Sequence, residues 1–191
     1  MNPIAVHHIW KSYGPQTVLR DVSVEAAADA VTCVMAPSGR GKTTLLRIFL
    51  GLETPDRGTV ETPPGCRWAA VFQEDRLLED LDAWGNLRFV LGREYDETRA
   101  QTLLAELGLG ETAGQAVREF SGGMKRRLAL ARALLAPADA LALDEPFTGL
   151  DQETRRCCRE ILLRETVGRP VLLVTHDSAD GAALGARLVR L

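Results

Sequence analysis

Val31-Thr32-Cys33-Val34-Met35 runs without a break into Ala36-Pro37-Ser38-Gly39-Arg40-Gly41-Lys42-Thr43-Thr44. The first five residues are apolar or small on both faces of an extended chain, as in a strand buried in the middle of a sheet. The rest is a glycine-containing loop, and Leu45 to about Leu50 reads as a short apolar helix stopped by Gly51. Strand, loop and helix in that order let backbone N–H groups and a helix N-terminus converge on a phosphate. Lys42 can reach its oxygens, and the Thr43 hydroxyl can bind Mg2+. Lysine is scarce, with only Lys11, Lys42 and Lys125 among 23 Lys+Arg. At Lys42 a compact ammonium does what a planar guanidinium does not. The strict pattern G-x-x-x-x-G-K-S/T fails at its first position, Ala36. Alanine there requires a backbone conformation that tolerates a β-carbon, and it removes neither a donor nor a charge.

Working outward, Ile4 to Ala26 contains short β-favouring pieces broken at Tyr13-Gly14-Pro15 and Arg20-Asp21, which predicts an antiparallel meander. Buried strands are expected at Trp68 to Phe72, Ala140 to Leu143 and Val171 to Val174, with helices between them. That alternation predicts an α/β fold with a mostly parallel sheet. Ala100, Leu103, Leu104 and Leu107 share a helical face before Gly108, and a further helix is expected from Asp151 as its N-cap. The chain is read as one domain over 1–191. Residues 1–78 and 120–191 form the α/β core with an N-terminal β sub-domain, and about 79–119 an inserted helical sub-domain.

The 191 residues carry a formal charge of −3, with 46% hydrophobic and 26% charged residues. This excludes disorder and gives no global argument for nucleic acid. No stretch free of Asp, Glu, Lys and Arg exceeds ten residues, so no membrane-spanning helix is expected. Met1 to Ile4 lack a basic start and a long apolar run, which makes the cytoplasm the default compartment. Cys33, Cys66, Cys157 and Cys158 have no C-x-x-C spacing, so no zinc site is expected. Adjacent Cys157 and Cys158, whose side chains diverge in a helix, are read as small buried residues and not as a redox pair, and none of the four is assigned a function.

Two further clusters carry chemistry. Ala140-Leu141-Ala142-Leu143-Asp144-Glu145 takes two carboxylates to the C-terminal edge of a sheet, where ligands bind. One can hold Mg2+ through water, and the next can polarise an attacking water. In Phe120-Ser121-Gly122-Gly123-Met124-Lys125-Arg126-Arg127, Ser121 can cap a helix and the glycines allow close approach of a phosphate. The three cations are either a solvated basic face or the partners of an anion, since they oppose the helix macrodipole.

These motifs together resemble the ATPase subunit of ATP-binding cassette (ABC) transporters, a P-loop NTPase fold, over essentially the whole chain. Ala36 to Thr43 resembles the Walker A loop, Leu143-Asp144-Glu145-Pro146 Walker B and Ser121-Gly122-Gly123-Met124-Lys125 the signature motif. Gln73 matches the Q-loop, Thr148-Gly149-Leu150-Asp151 the D-loop and His176 the switch histidine, while Tyr13 stands where the family stacks an aromatic on adenine. The departures are Ala36, Phe120 and Met124. The resemblance implies an ATPase in which Tyr13, Ser38, Gly39, Arg40, Gly41, Lys42, Thr43, Thr44 and Gln73 bind ATP. Thr43, Gln73 and Asp144 would hold Mg2+, Glu145 would activate water with Lys42 and His176 in the catalytic set, and Asp151 would lie at a dimer interface. It implies a head-to-tail homodimer in which Ser121, Gly122 and Gly123 serve the partner's ATP. It also implies integral permease subunits, an indirect solute-binding protein, no nucleic acid, and a peripheral place on the cytoplasmic face of a membrane. Phe72 to Leu78, with Leu81, Trp84, Asn86 and Leu87, resembles importers of the nitrate, sulfonate and taurine type, although Trp84 and the leucines equally suit a sub-domain core. With Leu191 shortly after His176, no regulatory domain is expected to follow. The alternative is a soluble ABC-type ATPase acting on nucleic acid, ribosomes or iron–sulfur assembly; the single cassette, the lack of a basic extension and the acidic balance disfavour it. Glu145 and His176 together disfavour a non-catalytic adaptor.

Overall fold

The computed structural model describes residues 4–28, 30–37 and 39–191; Ser38 of the expected ATP-binding set lies outside them. The chain divides into two compact units. The first comprises Met1–Ala70, Ala138–Glu145 and Thr166–Leu191, the second Val71–Pro137 and Pro146–Glu165.

In the first unit β1 (Ile4–Tyr13) and β2 (Gln16–Ala26) form the expected antiparallel pair, from Ile4 opposite Ala26 to Tyr13 opposite Gln16. After β3 (Val31–Met35) and α1 (Lys42–Phe49) comes a strand the sequence pattern does not predict, β4 (Arg57–Glu61), antiparallel to β1 on its other side. All five β4 residues are exposed, so pairing with β1, and no apolar periodicity, makes it a strand.

The second sheet runs in the order β5 (Trp68–Val71), β6 (Ala140–Asp144), β7 (Val171–Thr175), β3, β8 (Arg187–Arg190). β7 pairs parallel with both β6 and β3, and β3 pairs parallel with β8. Every residue of β6 and β7 is buried, which explains their continuous apolar runs. The parallel ladder brings Met35, Asp144, Thr175 and Arg190 to one edge of the sheet: Asp144 pairs with Val174, and Met35 with both Thr175 and Arg190.

The second unit contains α2 (Ala83–Leu91), α3 (Glu97–Glu106), α4 (Gly122–Leu135) and α5 (Gln152–Glu165). Ala100, Leu103, Leu104 and Leu107 are all buried, as their spacing predicts. Of the residues expected around Trp84, Asn86 and Leu87 are buried, whereas Leu78 and Leu81 are exposed. In the first unit, α6 (Ser178–Ala183) follows β7.

Candidate nucleotide site

Each half of the site grows from a strand end. At the exit of β3, the Lys42 ammonium donates to the carbonyls of Ala36 at 2.6 Å and Pro37 at 3.2 Å, and Lys42 is 9% exposed. A buried cation at the first position of a helix whose first turn holds no acidic residue has electrostatic room for an anion. Gly41 precedes α1 at φ 80°, and a β-carbon there would lie 2.7 Å from both Leu19 Cδ2 and the Val18 carbonyl, so only glycine fits. Ala36 is buried at the strand exit. The non-glycine residues with positive φ among those described are His8, Asp21, Arg76 and Glu145, so Ala36 tolerates its β-carbon. Gly39, Arg40 and Thr44 stand in the same loop and first turn.

Beneath the loop the Thr43 hydroxyl donates to Asp144 Oδ2 at 2.7 Å. No group of three or more His, Cys, Asp or Glu among the described residues could hold a metal by itself. One hydroxyl and one carboxylate are hard oxygen ligands that suit Mg2+, which keeps several waters and takes its remaining contacts from substrate phosphates.

Glu145, the residue after β6, has φ 51°. Its N–H donates to the Val174 carbonyl at 2.8 Å, and the Thr175 hydroxyl donates to Oε2 at 3.0 Å. Oε1 accepts from the His176 N–H at 2.9 Å and lies 2.7 Å from His176 Nδ1. The Glu145 side chain is 13% exposed and that of His176 61%. The two residues named from separate motifs therefore meet directly. Thr175 is a positioning group that motif reading missed, although a hydroxyl one residue before the histidine was the available signal. A cavity of about 350 Å³ is lined by Met35, Ala36, Pro37, His176, Arg190 and Leu191. Tyr13 is the last residue of β1, just before the β1–β2 turn, and is 48% exposed.

The second unit carries Gln73, Ser121, Gly122, Gly123 and Asp151. Ser121 caps α4, its hydroxyl accepting from the Met124 N–H at 3.3 Å, and it is exposed together with Gly122. Asp151 caps α5, accepting from the Thr154 N–H at 3.0 Å and the Thr154 hydroxyl at 2.7 Å. These bonds hold its carboxyl below the usual carboxylate range. The solvated-face reading of the three signature cations is corrected here, because each has protein partners. Lys125 pairs with Glu79 at 2.6 Å. Arg126, 7% exposed, donates to the carbonyls of Phe72 at 2.7 Å and Gln73 at 2.6 Å and lies 3.2 Å from Asp75. Arg127 donates to the Leu107 carbonyl at 2.6 Å. Further along α4, Arg132 donates to the carbonyls of Arg76 at 2.7 Å and Asp75 at 2.8 Å.

Cys158 is buried as expected, whereas Cys157, expected to be buried too, is half-buried and its thiol donates to the Glu106 carbonyl; Cys33 is buried and Cys66 half-buried. All four thiols are free.

A family model described as ABC transporter matches residues 19–148. The aliphatic sulfonates import ATP-binding protein SsuB 2 of Burkholderia lata is 41% identical over 191 residues, covering 95% of this chain and 70% of the relative. The aliphatic sulfonates import ATP-binding protein SsuB 1 of Rhodococcus jostii is 41% identical over 185 residues, covering 94% and 75%. The taurine import ATP-binding protein TauB of Pseudomonas aeruginosa is 39% identical over 187 residues, covering 91% and 71%. With a glycine loop between strand and helix, a carboxylate–histidine contact and a capped Ser-Gly-Gly helix, and with relatives this similar over most of its length, the chain belongs to the ABC transporter family.

Proposed function

We propose that this ATP-hydrolysing transporter subunit powers uptake of an organic sulfonate, working as a head-to-tail pair of identical chains on the cytoplasmic face of a membrane. The observation that carries the reading is the Glu145 cluster, a carboxylate at the end of a buried strand with one oxygen held by Thr175 and the other by His176. Relatives named for sulfonate and taurine import support the solute class.

In the assembled site Tyr13 stacks on the base, while Ser38, Gly39, Arg40, Gly41, Lys42 and Thr44 hold the phosphates. The Lys42 ammonium exchanges loop carbonyls for phosphate oxygens. Thr43, Asp144 and Gln73 would hold Mg2+, which when bound neutralises charge on the phosphate oxygens. Glu145 takes a proton from a water molecule as the water oxygen attacks the γ-phosphorus and the bond from that phosphorus to the β–γ bridging oxygen breaks. His176 holds the Glu145 carboxylate in place and contacts the γ-phosphate. Ser121, Gly122 and Gly123 of the second chain close on the same nucleotide, with Asp151 beside them at the dimer interface. Two bound nucleotides hold the pair shut, and hydrolysis releases it. Permease subunits dock near Gln73 and the adjacent helical segment, and a solute-binding protein delivers the solute to them.

Glu145→Gln is expected to keep ATP binding, to lower phosphate release by about 100-fold or more, and to elute as a dimer with ATP and magnesium in size-exclusion chromatography with light scattering. Hydrolysis at the parental rate would remove Glu145 from its role. A nucleotide-loaded variant that stays monomeric at high concentration would remove the paired arrangement.

A further inference from the structure

Lys11 is one of the three lysines in a chain that otherwise uses arginine, and the phosphate chemistry does not employ it. Its ammonium lies 2.9 Å from Glu53 Oε1, 2.7 Å from the Thr54 carbonyl and 3.6 Å from Asp56 Oδ1. It also sits over the Tyr13 ring, 5.5 Å from the centroid. The Lys11 side chain is 12% exposed, whereas Tyr13 keeps 48% of its surface open. A cation on one side of an aromatic ring restrains it and leaves the other side for stacking. The compact ammonium, with three donors, reaches these three oxygens while it lies over the ring.

Glu53 follows α1, the helix whose N-terminus is the phosphate loop. Its carboxyl is held below the ordinary range by Lys11 and, further, by Arg47 and the Tyr13 hydroxyl, against an opposing effect of burial. The turn is also tied down by its backbone: the Ser12 N–H donates to Asp56 Oδ2 at 2.7 Å, and the Asp56 N–H donates to the Trp10 carbonyl at 2.8 Å. One continuous path therefore links the phosphate loop, α1, Glu53, Lys11 and Tyr13. Beside it, a cavity of about 330 Å³ runs from Gln16, the cross-strand partner of Tyr13, to Gly39 and Arg40.

We propose that the Lys11–Glu53 pair is a positioning device that fixes the Tyr13 ring relative to the phosphate loop, so that the share of ATP affinity contributed by the base depends on it. The proposal rests on Tyr13 being the surface on which the base stacks.

The test compares dissociation constants of ATP and of inorganic tripolyphosphate, each with magnesium, for the full chain carrying Lys11→Met, Glu53→Gln or Tyr13→Ala, alongside steady-state hydrolysis. Lys11→Met and Glu53→Gln are each expected to weaken ATP binding about 5- to 20-fold, to leave tripolyphosphate within about twofold, and to raise KM with little change in kcat. In a Tyr13→Ala background, Lys11→Met adds nothing. Should Lys11→Met fail to fold, Glu53→Gln carries the same comparison. Equal weakening of both ligands, or unchanged ATP affinity in Lys11→Met while Tyr13→Ala is impaired for ATP alone, overturns the positioning role and leaves the stacking role standing. If Tyr13→Ala itself shows no loss specific to ATP, the stacking role fails and the proposal with it.

Discussion

Glu145 has a left-handed backbone, a conformation that costs a non-glycine residue about 1–3 kcal/mol and persists only where its surroundings fix it. Here the fixing groups are the Val174 carbonyl on its N–H and the Thr175 and His176 contacts on its two oxygens. Nearby in β3, Cys33 is fully buried, and burial, with Asp180 and Glu145 adding to it, pushes its thiol up to about 11 from an ordinary 9.0. Below pH 9 both folded and unfolded chains keep the proton. Above it the unfolded chain ionises while the folded one does not, so stability falls between about pH 9 and 11 by up to about 1.4 kcal/mol per pH unit. Cys158, raised to about 12, acts in the same direction. Urea midpoints measured from pH 8 to 10.5 should therefore drop, and Cys33→Ala should drop less steeply although it starts lower by about 1–2 kcal/mol through loss of packing. A variant slope equal to the parent's would exclude this thiol as the cause.

At the scale of elements, α4 does more than present Ser121. Arg126 and Arg132 between them donate to the carbonyls of Phe72, Gln73, Asp75 and Arg76, so the segment that carries Gln73 is held on the helix that carries the signature serine. Burial raises the Asp75 carboxyl even though Arg126, Lys125 and Arg132 pull it down. Arg126→Met strands two carbonyls and the Asp75 carboxylate, and is expected to cost about 2–4 kcal/mol. Hydrogen exchange at residues 72–77 should accelerate more than in α3; uniform exchange across both would refute the clamp. None of this was legible in the sequence, because a carbonyl acceptor carries no residue type and the partners lie more than fifty positions apart. β3, β6 and β7 were legible because strands buried on both faces write continuous apolar runs, and α3 because one face of it is buried. β4 was not, since it exposes all its side chains and owes its conformation to a neighbour. The meeting of Glu145 with His176 was foreshadowed by their motifs, yet the contact itself depends on the parallel register of β6 and β7.

For the molecule as a whole, no helix among the described residues is long and apolar enough to cross a membrane, and the permease subunits proposed above would dock on an exposed surface. In the second unit α2 buries Ala83, Leu87 and Leu91 while Phe89 is 71% exposed and Val90 48%, and Leu78 and Leu81 of the preceding segment are exposed as well. Apolar side chains gathered in this way on one stretch, close in sequence to Gln73, are what a partner helix would cover in the proposed docking of permease subunits. Phe89→Asp places a charge there without touching the core. Because the ring is mostly in solvent already, the melting temperature should stay within a few degrees of the parent. Co-purification with the permease from detergent-solubilised membranes should fall about tenfold or more, since burying an unpaired carboxylate at a protein contact is strongly unfavourable. Undiminished co-purification would place the docking surface elsewhere, whereas a large drop in melting temperature would show that Phe89 serves the fold of this unit.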